Sequence, residues 1–241
     1  MHFYVYGESL SNAKLTHAVA EIETRLTDLE LQGRIGRLGP LKSAKDMIRQ
    51  AIRAGATTVV AVGNDKTVAE VINALAGSDI ALGILPVGSP TTIAELLGIP
   101  EGGAAVEVLA ARKIETVDLG KINNHYFLTS AELTVEDAVT LECDEHYTIS
   151  SPAGSSVVTI ANLSPGAKCQ DGYLEATIES SQRRWLKRSL VRSIVPFRQG
   201  RIASAEGATA VVENTYLVKL PTTIEIIPRT LRVIVGKDRV F

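Results

Sequence analysis

Apolar and polar positions alternate along the first hundred residues in two different rhythms. "HFYVY" at 2–6 reads as a short buried strand, and Leu15, Ala18, Val19, Ile22 and Leu26 then recur with the 3.6-residue period of one helical face. "LQGRIGRL" predicts a second strand, and Ala44, Met47, Ile48, Ala51 and Ile52 a second helical stripe. "GATTVVAVG" is rich in β-branched residues and bounded by glycines, as strands are. Val68, Val71, Ile72 and Leu75 form the next stripe, and "IALGILPVG" is a continuous apolar strand. Ser89-Pro90 then predicts a helix start, with serine as N-cap and proline at the first helical position; that helix ends near Gly98. Strands that are apolar on both faces and alternate with helices predict a parallel sheet covered on each side.

After about residue 105 the grammar changes. "VDLGKINNHYFLTSAEL", "HYTISS", "SSVVTIANL", "GYLEATIES" and "TTIEIIPRTLRVIVG" are strand-like, and turn residues separate most of them. The expected architecture is therefore α/β, with an N-terminal parallel-sheet domain over 1–105 and a C-terminal antiparallel β domain over 106–241. One segment breaks the β pattern. Residues 183–201, "RRWLKRSLVRSIVPFRQGR", hold seven cations and no acid, and Leu186, Leu190 and Ile194 share one helical face beside Trp185. This reads either as a basic amphipathic helix lying on an anionic membrane or as a solvated helix packed on its own domain.

Composition narrows the function classes. The 241 residues are 45% hydrophobic and 22% charged, ordinary values for a soluble globular chain. A formal net charge of −2 and 5% aromatics give no signal for nucleic acid. Cys143 and Cys169 form no CxxC pair and read as free thiols of a reducing compartment, so a cytoplasmic location is expected. The four histidines are scattered, without zinc-ligand spacing. The start "MHFYVYGESLSN" has too short an apolar run for a signal peptide, and no run of about 18 apolar residues could span a bilayer.

Candidate chemistry lies at two strand-to-helix turns, Gly63–Thr67 and Gly88–Thr92. Ligands of open α/β sheets bind at the carboxyl ends of strands, and helix N-termini attract phosphate. Gly63, Asn64, Asp65, Lys66, Thr67, Gly88, Ser89, Thr91 and Thr92 are the candidate phosphate-binding residues. In that reading Lys66 adds charge, Thr67 donates its hydroxyl, and Asp65 orients the loop or reaches Mg²⁺ through water. The same residues also read as plain capping, with Asp65 and Ser89 satisfying their own helices.

"VVAVGNDKTVAEVINAL" followed by "LGILPVGSPTTIAELLGIP" resembles the diacylglycerol kinase catalytic-domain family, which includes bacterial lipid kinases and sphingosine kinases and is related in fold to NAD kinases. Gly63, Asp65, Thr67, Glu70, Asn73 and Leu75 match its G-G-D-G-T motif and the helix after it. Leu82, Gly83, Pro86, Gly88, Ala94 and Leu97-Gly98-Ile99-Pro100 match its second motif. In the β half, "VDLGKINNHYFLTSA" is similar to the entry to the family's second domain. Pro165, Ala167, Asp171, Gly172, Leu174 and Glu175 fit its P-x-A-x-x-x-D-G-x-L segment, and Pro228, Leu231, Arg232 and Val233 its closing strand.

The resemblance implies an α/β nucleotide-binding domain followed by a β-sandwich, and transfer of the ATP γ-phosphoryl group to a diacylglycerol-like lipid hydroxyl with Mg²⁺. It makes Glu136 or Asp137 the candidate catalytic base and Asp171 the candidate metal ligand. The resemblance implies a nucleotide and a lipid substrate as partners; the basic stretch 183–201 adds a membrane surface, and a second copy of the chain stays an open alternative. The departures fall on the chemistry. Asn64, Lys66 and Pro90 stand where the family has glycines, Thr91-Thr92 where it has Asn-Asp, and Leu38 where it has a threonine. "AELTVEDAV" lacks the glycines of G-x-G-x-D-A, and the late D-G-E motif appears as Glu213-Asn214-Thr215. Losing loop glycines and carboxylates together weakens a reaction that rests on positioning and charge. Two readings follow: a lipid kinase with impaired activity, or an inactive nucleotide- or lipid-binding regulatory module. An NAD kinase fits the β half less well.

Overall fold

The computed structural model describes residues 1–39, 42–135, 138–150, 156–184, 187–204 and 208–241. The chain forms two compact units, Met1–Val117 with Arg229–Phe241, and Asp118–Pro228. Residue 105, the boundary expected from the change of pattern, falls inside a helix of the first unit.

Unit 1 runs β1 (His2–Tyr6), α1 (Thr16–Asp28), β2 (Gly33–Arg37), α2 (Ala44–Arg53), β3 (Thr58–Gly63), α3 (Asp65–Leu75), β4 (Ala81–Pro86), α4 (Thr92–Leu96) and α5 (Gly103–Ala111). The sheet is parallel in the order β2-β1-β3-β4. Every residue of β3 and β4 is buried, as continuous apolar runs require in a sheet covered on both faces. Ile22, Ile48 and Ile72, one from each of the first three helical stripes, are essentially inaccessible. Helix α5 gave no stripe in the sequence because Ala104, Ala105, Val106, Val108, Leu109, Ala110 and Ala111 make it apolar nearly all round. Its Leu109 packs against the space left by Gly83 in β4.

The chain leaves along β5 (Ile114–Ile122). Unit 2 adds β6 (His125–Phe127), β7 (Ser130–Val135), β8 (Val139–Cys143), β9 (Tyr147–Ser150), β10 (Ser156–Ala161), β11 (Leu174–Arg184), β12 (Lys187–Phe197), β13 (Gln199–Ser204), β14 (Thr209–Val212), β15 (Tyr216–Lys219) and β16 (Thr222–Ile234). The early part of β16 pairs antiparallel with β13; after Arg229 the strand belongs to unit 1, where Arg232 and Val233 pair in parallel with Ala81 and Leu82 of β4. Within unit 2 one layer is ordered β12-β11-β10-β7-β14-β15 and the other holds β16, β13, β8 and β9. Both contribute to one core, from Phe127, Leu133 and Ile160 to Leu141, Phe197, Ile202 and Ile224, so unit 2 is a β-sandwich.

Two expectations are corrected. The described residues of 183–201 are not helical: β11 and β12 pair antiparallel, with Arg184 opposite Lys187 and Leu174 opposite Phe197. A spacing of four, as in Leu186, Leu190 and Ile194, satisfies a helical face and one face of a strand equally. Ile194 is 52% exposed, on the outward face rather than packed inward. Trp185 and Leu186 lie outside the described residues. The second correction concerns α4, which begins at Thr92 and not at Pro90; the cap that sets its start comes from elsewhere in the chain, as shown below.

Phe127 is fully buried in the sandwich core, and its ring fills the space over Gly120 of the neighbouring strand. We expect Phe127→Ala to lower unfolding free energy by about 3–5 kcal/mol in a urea titration. A loss under about 1 kcal/mol would show that this layer is not a close-packed core.

Candidate functional site

The two strand-to-helix turns meet in unit 1. Gly63 closes β3 at φ 150°, and a Cβ there would come 2.6 Å from the Thr67 hydroxyl oxygen, so the turn admits only glycine. Gly63 C=O accepts from Val87 N–H at 3.0 Å, joining the ends of β3 and β4. Gly88 turns the second loop at φ 89°. Asn64 is the N-cap of α3, in extended backbone at φ −88°. Its Oδ1 accepts from Thr67 N–H and from the Thr67 hydroxyl, each at 3.4 Å, and its Nδ2 donates to Ser89 C=O at 3.4 Å. Capping is the ordinary use of asparagine at this position, and it needs no left-handed backbone.

Asp65 is buried, with 4% of its surface exposed. Its carboxylate does not cap its own helix. Oδ2 accepts from Thr92 N–H at 3.0 Å and Oδ1 from Ile93 N–H at 3.1 Å, so it caps α4 across the loop. Its own N–H donates to Pro90 C=O at 2.9 Å. Thus Pro90, which has no N–H to give, supplies the acceptor side of the same stitch. Burial pushes the Asp65 carboxyl above its ordinary value of 3.8, against the opposing pull of the Ile93 and Thr92 N–H groups.

The remaining candidates divide into occupied and open groups. Thr67 is buried against Gly63, and Thr91 is buried with its hydroxyl 3.4 Å from carboxylate oxygens of Glu95 and Glu101. Lys66, Ser89 and Thr92 are exposed. Lys66 lines a cleft of about 490 Å³ with Glu8, Ser9, Leu38, Gly39, Asn64, Thr67 and Glu70. This cleft opens at the carboxyl ends of β1, β2 and β3, where the fold class places ligands. Its acids are notable. Burial raises the Glu70 carboxyl, Lys66 lowers it and Glu8 raises it, so both glutamates and the lysine share one field. Among the described residues the cleft therefore holds one cation and two acids. Glu8 and Ser9 were missed in the sequence, although the first polar residues after any strand of such a sheet are legible candidates.

Asp171 lies in unit 2, exposed, with Oδ1 accepting from Tyr173 N–H at 3.0 Å. Asp118, 2% exposed, accepts from Gly172 N–H at 2.9 Å. Glu213, at the late motif position, is buried and accepts from the Leu128 and Thr129 N–H groups and the Thr129 hydroxyl. Glu136 and Asp137 lie outside the described residues. Among the described residues no three His, Cys, Asp or Glu side chains converge on a metal position. Both Asp65 oxygens accept backbone N–H groups of α4, and the Thr67 N–H is held by Asn64.

The chain thus combines a parallel α/β unit with paired glycine turns and a β-sandwich. Residues 6–122 match the family model described as the diacylglycerol kinase catalytic domain. This chain is 36% identical over 104 residues to the protein named probable lipid kinase YegS-like from Pseudomonas aeruginosa, covering 42% of this chain and 34% of the relative. It is 32% identical over 110 residues to a diacylglycerol kinase of Mycobacterium tuberculosis, covering 44% and 34%. The match thus spans about a third of those relatives' length. A solved diacylglycerol kinase structure from Bacillus anthracis superposes with a TM-score of 0.80 at 18% identity, covering 98% of this chain and 96% of the other. Residues 6–122 belong to the diacylglycerol kinase catalytic-domain family, and the whole chain shares the fold of the solved relative.

Asp65 gives a prediction with a sign. A carboxyl raised in the folded state contributes most when protonated. That contribution is complete below the unfolded value near 3.8 and is lost as pH rises through the folded value. Asp65→Asn does not titrate and keeps only one oxygen acceptor, leaving an α4 N–H unpaired, at a cost of about 1–3 kcal/mol. The stability gap between wild type and Asp65→Asn should therefore be wider at pH 4 than at pH 7. A gap that widens with rising pH would mean that the N–H bonds, not burial, govern this carboxyl.

Proposed function

We propose that this chain is a lipid-kinase-family module that retains the fold and has lost most phosphoryl transfer, binding nucleotide weakly and serving through lipid or nucleotide binding. One observation carries the reading: three N–H groups at the two helix N-termini, those of Thr67, Thr92 and Ile93, which would otherwise be open to phosphate, are engaged by Asn64 and by the Asp65 carboxylate. A negative charge already sits where a second would have to arrive. Glu8 and Glu70 in the adjoining cleft oppose a polyphosphate further, and Lys66 offsets only one of them. Transfer of the ATP γ-phosphoryl group to a diacylglycerol-like hydroxyl, with Glu136 or Asp137 as base and Mg²⁺ held through Asp171, is the second reading. The family relationship and the open, Lys66-lined cleft favour it.

Assaying Mg-ATP consumption with diacylglycerol in mixed micelles separates the two. We expect no turnover above the blank and millimolar Mg-ATP affinity by calorimetry. Phosphatidic acid formed at the rate of an intact-loop family member would overturn the proposal. In Asn64→Gly with Lys66→Gly, the Thr67 N–H is released at the cost of one cation. A regained bond to phosphate is worth about 1.5–3 kcal/mol against roughly 1 kcal/mol for the lost surface charge, so affinity should rise. Weaker binding by this variant would instead identify Lys66 as a working phosphate ligand.

The membrane partner belongs to the same proposal, now on a strand pair. Residues 183–201 hold seven cations and no acid, and the cross-strand register brings Arg183 opposite Arg188 and Arg184 opposite Lys187. An anionic surface attracts such a run of cations. Co-sedimentation with anionic vesicles should be strong at low salt and weak at high salt. Arg184→Glu, Lys187→Glu and Arg188→Glu together should abolish it. Retention of the triple variant would remove the strand pair from the interface.

A further inference from the structure

Unit 2 contains a groove of about 790 Å³ that none of the chemistry above uses, walled by His146, Tyr147, Tyr173, Arg198 and Gln199 among others. Its centre is Arg198, whose position is fixed from both sides. The Arg198 and Gln199 N–H groups both donate to Asp144 Oδ1 at 2.9 Å, Asp144 N–H donates to Gln199 C=O at 2.9 Å, and Arg198 C=O accepts from Ile226 N–H at 2.8 Å. The guanidinium lies 4.7 Å over the Tyr173 ring and Nη2 donates to the Tyr173 hydroxyl at 3.1 Å. Tyr173 is tied in turn through its N–H to Asp171. A long, flexible cation is thus held in one place before any ligand arrives, which removes much of the ordering cost of binding.

The cation has no ion-pair partner among the described residues, although an acid lies near it. Two carboxylates line the groove, Asp144 and Glu225. Asp144 keeps its charge but spends Oδ1 on two backbone N–H groups of the arginine's own segment, and Glu225 is paired with Lys121 at 2.8 Å. Among the described residues no carboxylate lies within ion-pair distance of Arg198. The Tyr173 hydroxyl accepts from Arg198, so its own proton remains to be donated. The guanidinium fork engages two oxygens of an anion, the Tyr173 O–H reaches a third, and the half-exposed faces of Tyr147 and Tyr173 accommodate a carbon skeleton.

We propose that this groove binds a phosphate monoester, as a free metabolite or as the headgroup of a phosphorylated lipid. A phosphate offers three oxygens to donors in different directions, which a carboxylate cannot. The inference does not depend on the state of the loops in unit 1.

The test titrates the full chain with glycerol 3-phosphate and inorganic phosphate by calorimetry. It also measures retention on vesicles carrying phosphatidic acid or, at equal anionic fraction, phosphatidylserine. Arg198→Gln should weaken glycerol 3-phosphate binding by on the order of 10-fold or more, with thermal unfolding unchanged, since the side chain is exposed and the backbone bonds remain. Tyr173→Phe, which keeps the ring and removes the hydroxyl, should weaken it by a smaller factor and serves if Arg198→Gln fails to fold. Preferential retention on phosphatidic acid identifies the lipid source, and equal retention with binding of glycerol 3-phosphate identifies the soluble one. No binding of glycerol 3-phosphate by wild type, or equal binding by the variants, overturns the site. Either result stands whether or not the chain phosphorylates diacylglycerol.

Discussion

The buried carboxylate of Asp65 determines how the two turns of unit 1 meet. It stands in the first turn of α3 and accepts the first backbone N–H groups of α4, while its own N–H returns to Pro90. A helix of five residues makes little intrahelical bonding of its own, so this external cap sets where α4 begins. The cap also supplies the negative charge that a helix N-terminus attracts. Stability of the loop pair and affinity for an external phosphate therefore draw on the same donors, and here the protein's own side chain holds them.

The substitutions around this carboxylate are mutually consistent. Asn64 stands where the family has glycine and uses its amide to cap α3 and to hold Ser89. Pro90 brings no N–H, and its carbonyl accepts from Asp65. Thr91 turns its hydroxyl toward Glu95 and Glu101. Asn64, Pro90 and Thr91 thus each take part in bonding internal to the loop pair. The sandwich unit shows the same use of carboxylates, with Asp118, Asp144 and Glu213 each accepting backbone N–H groups. At Asp144 the result is a groove in which a fixed arginine faces solvent.

The order of strands and helices in unit 1 was legible from periodicity, because β3 and β4 are buried on both faces and three of the helices are amphipathic. The glycine turns were legible too, since Gly63 and Gly88 adopt backbone that other residues avoid. Tertiary structure decided what local pattern leaves degenerate. A spacing of four in 183–201 suits helix and strand alike, and pairing with β11 made it a strand. Uniformly apolar α5 carries no stripe, and contact with β4 revealed it. The role of Asp65 was beyond reach for a related reason: its partners are 27 and 28 residues away. Sequence spacing assigns a residue to a loop, whereas the direction in which its carboxylate points is set only when the second loop arrives beside it.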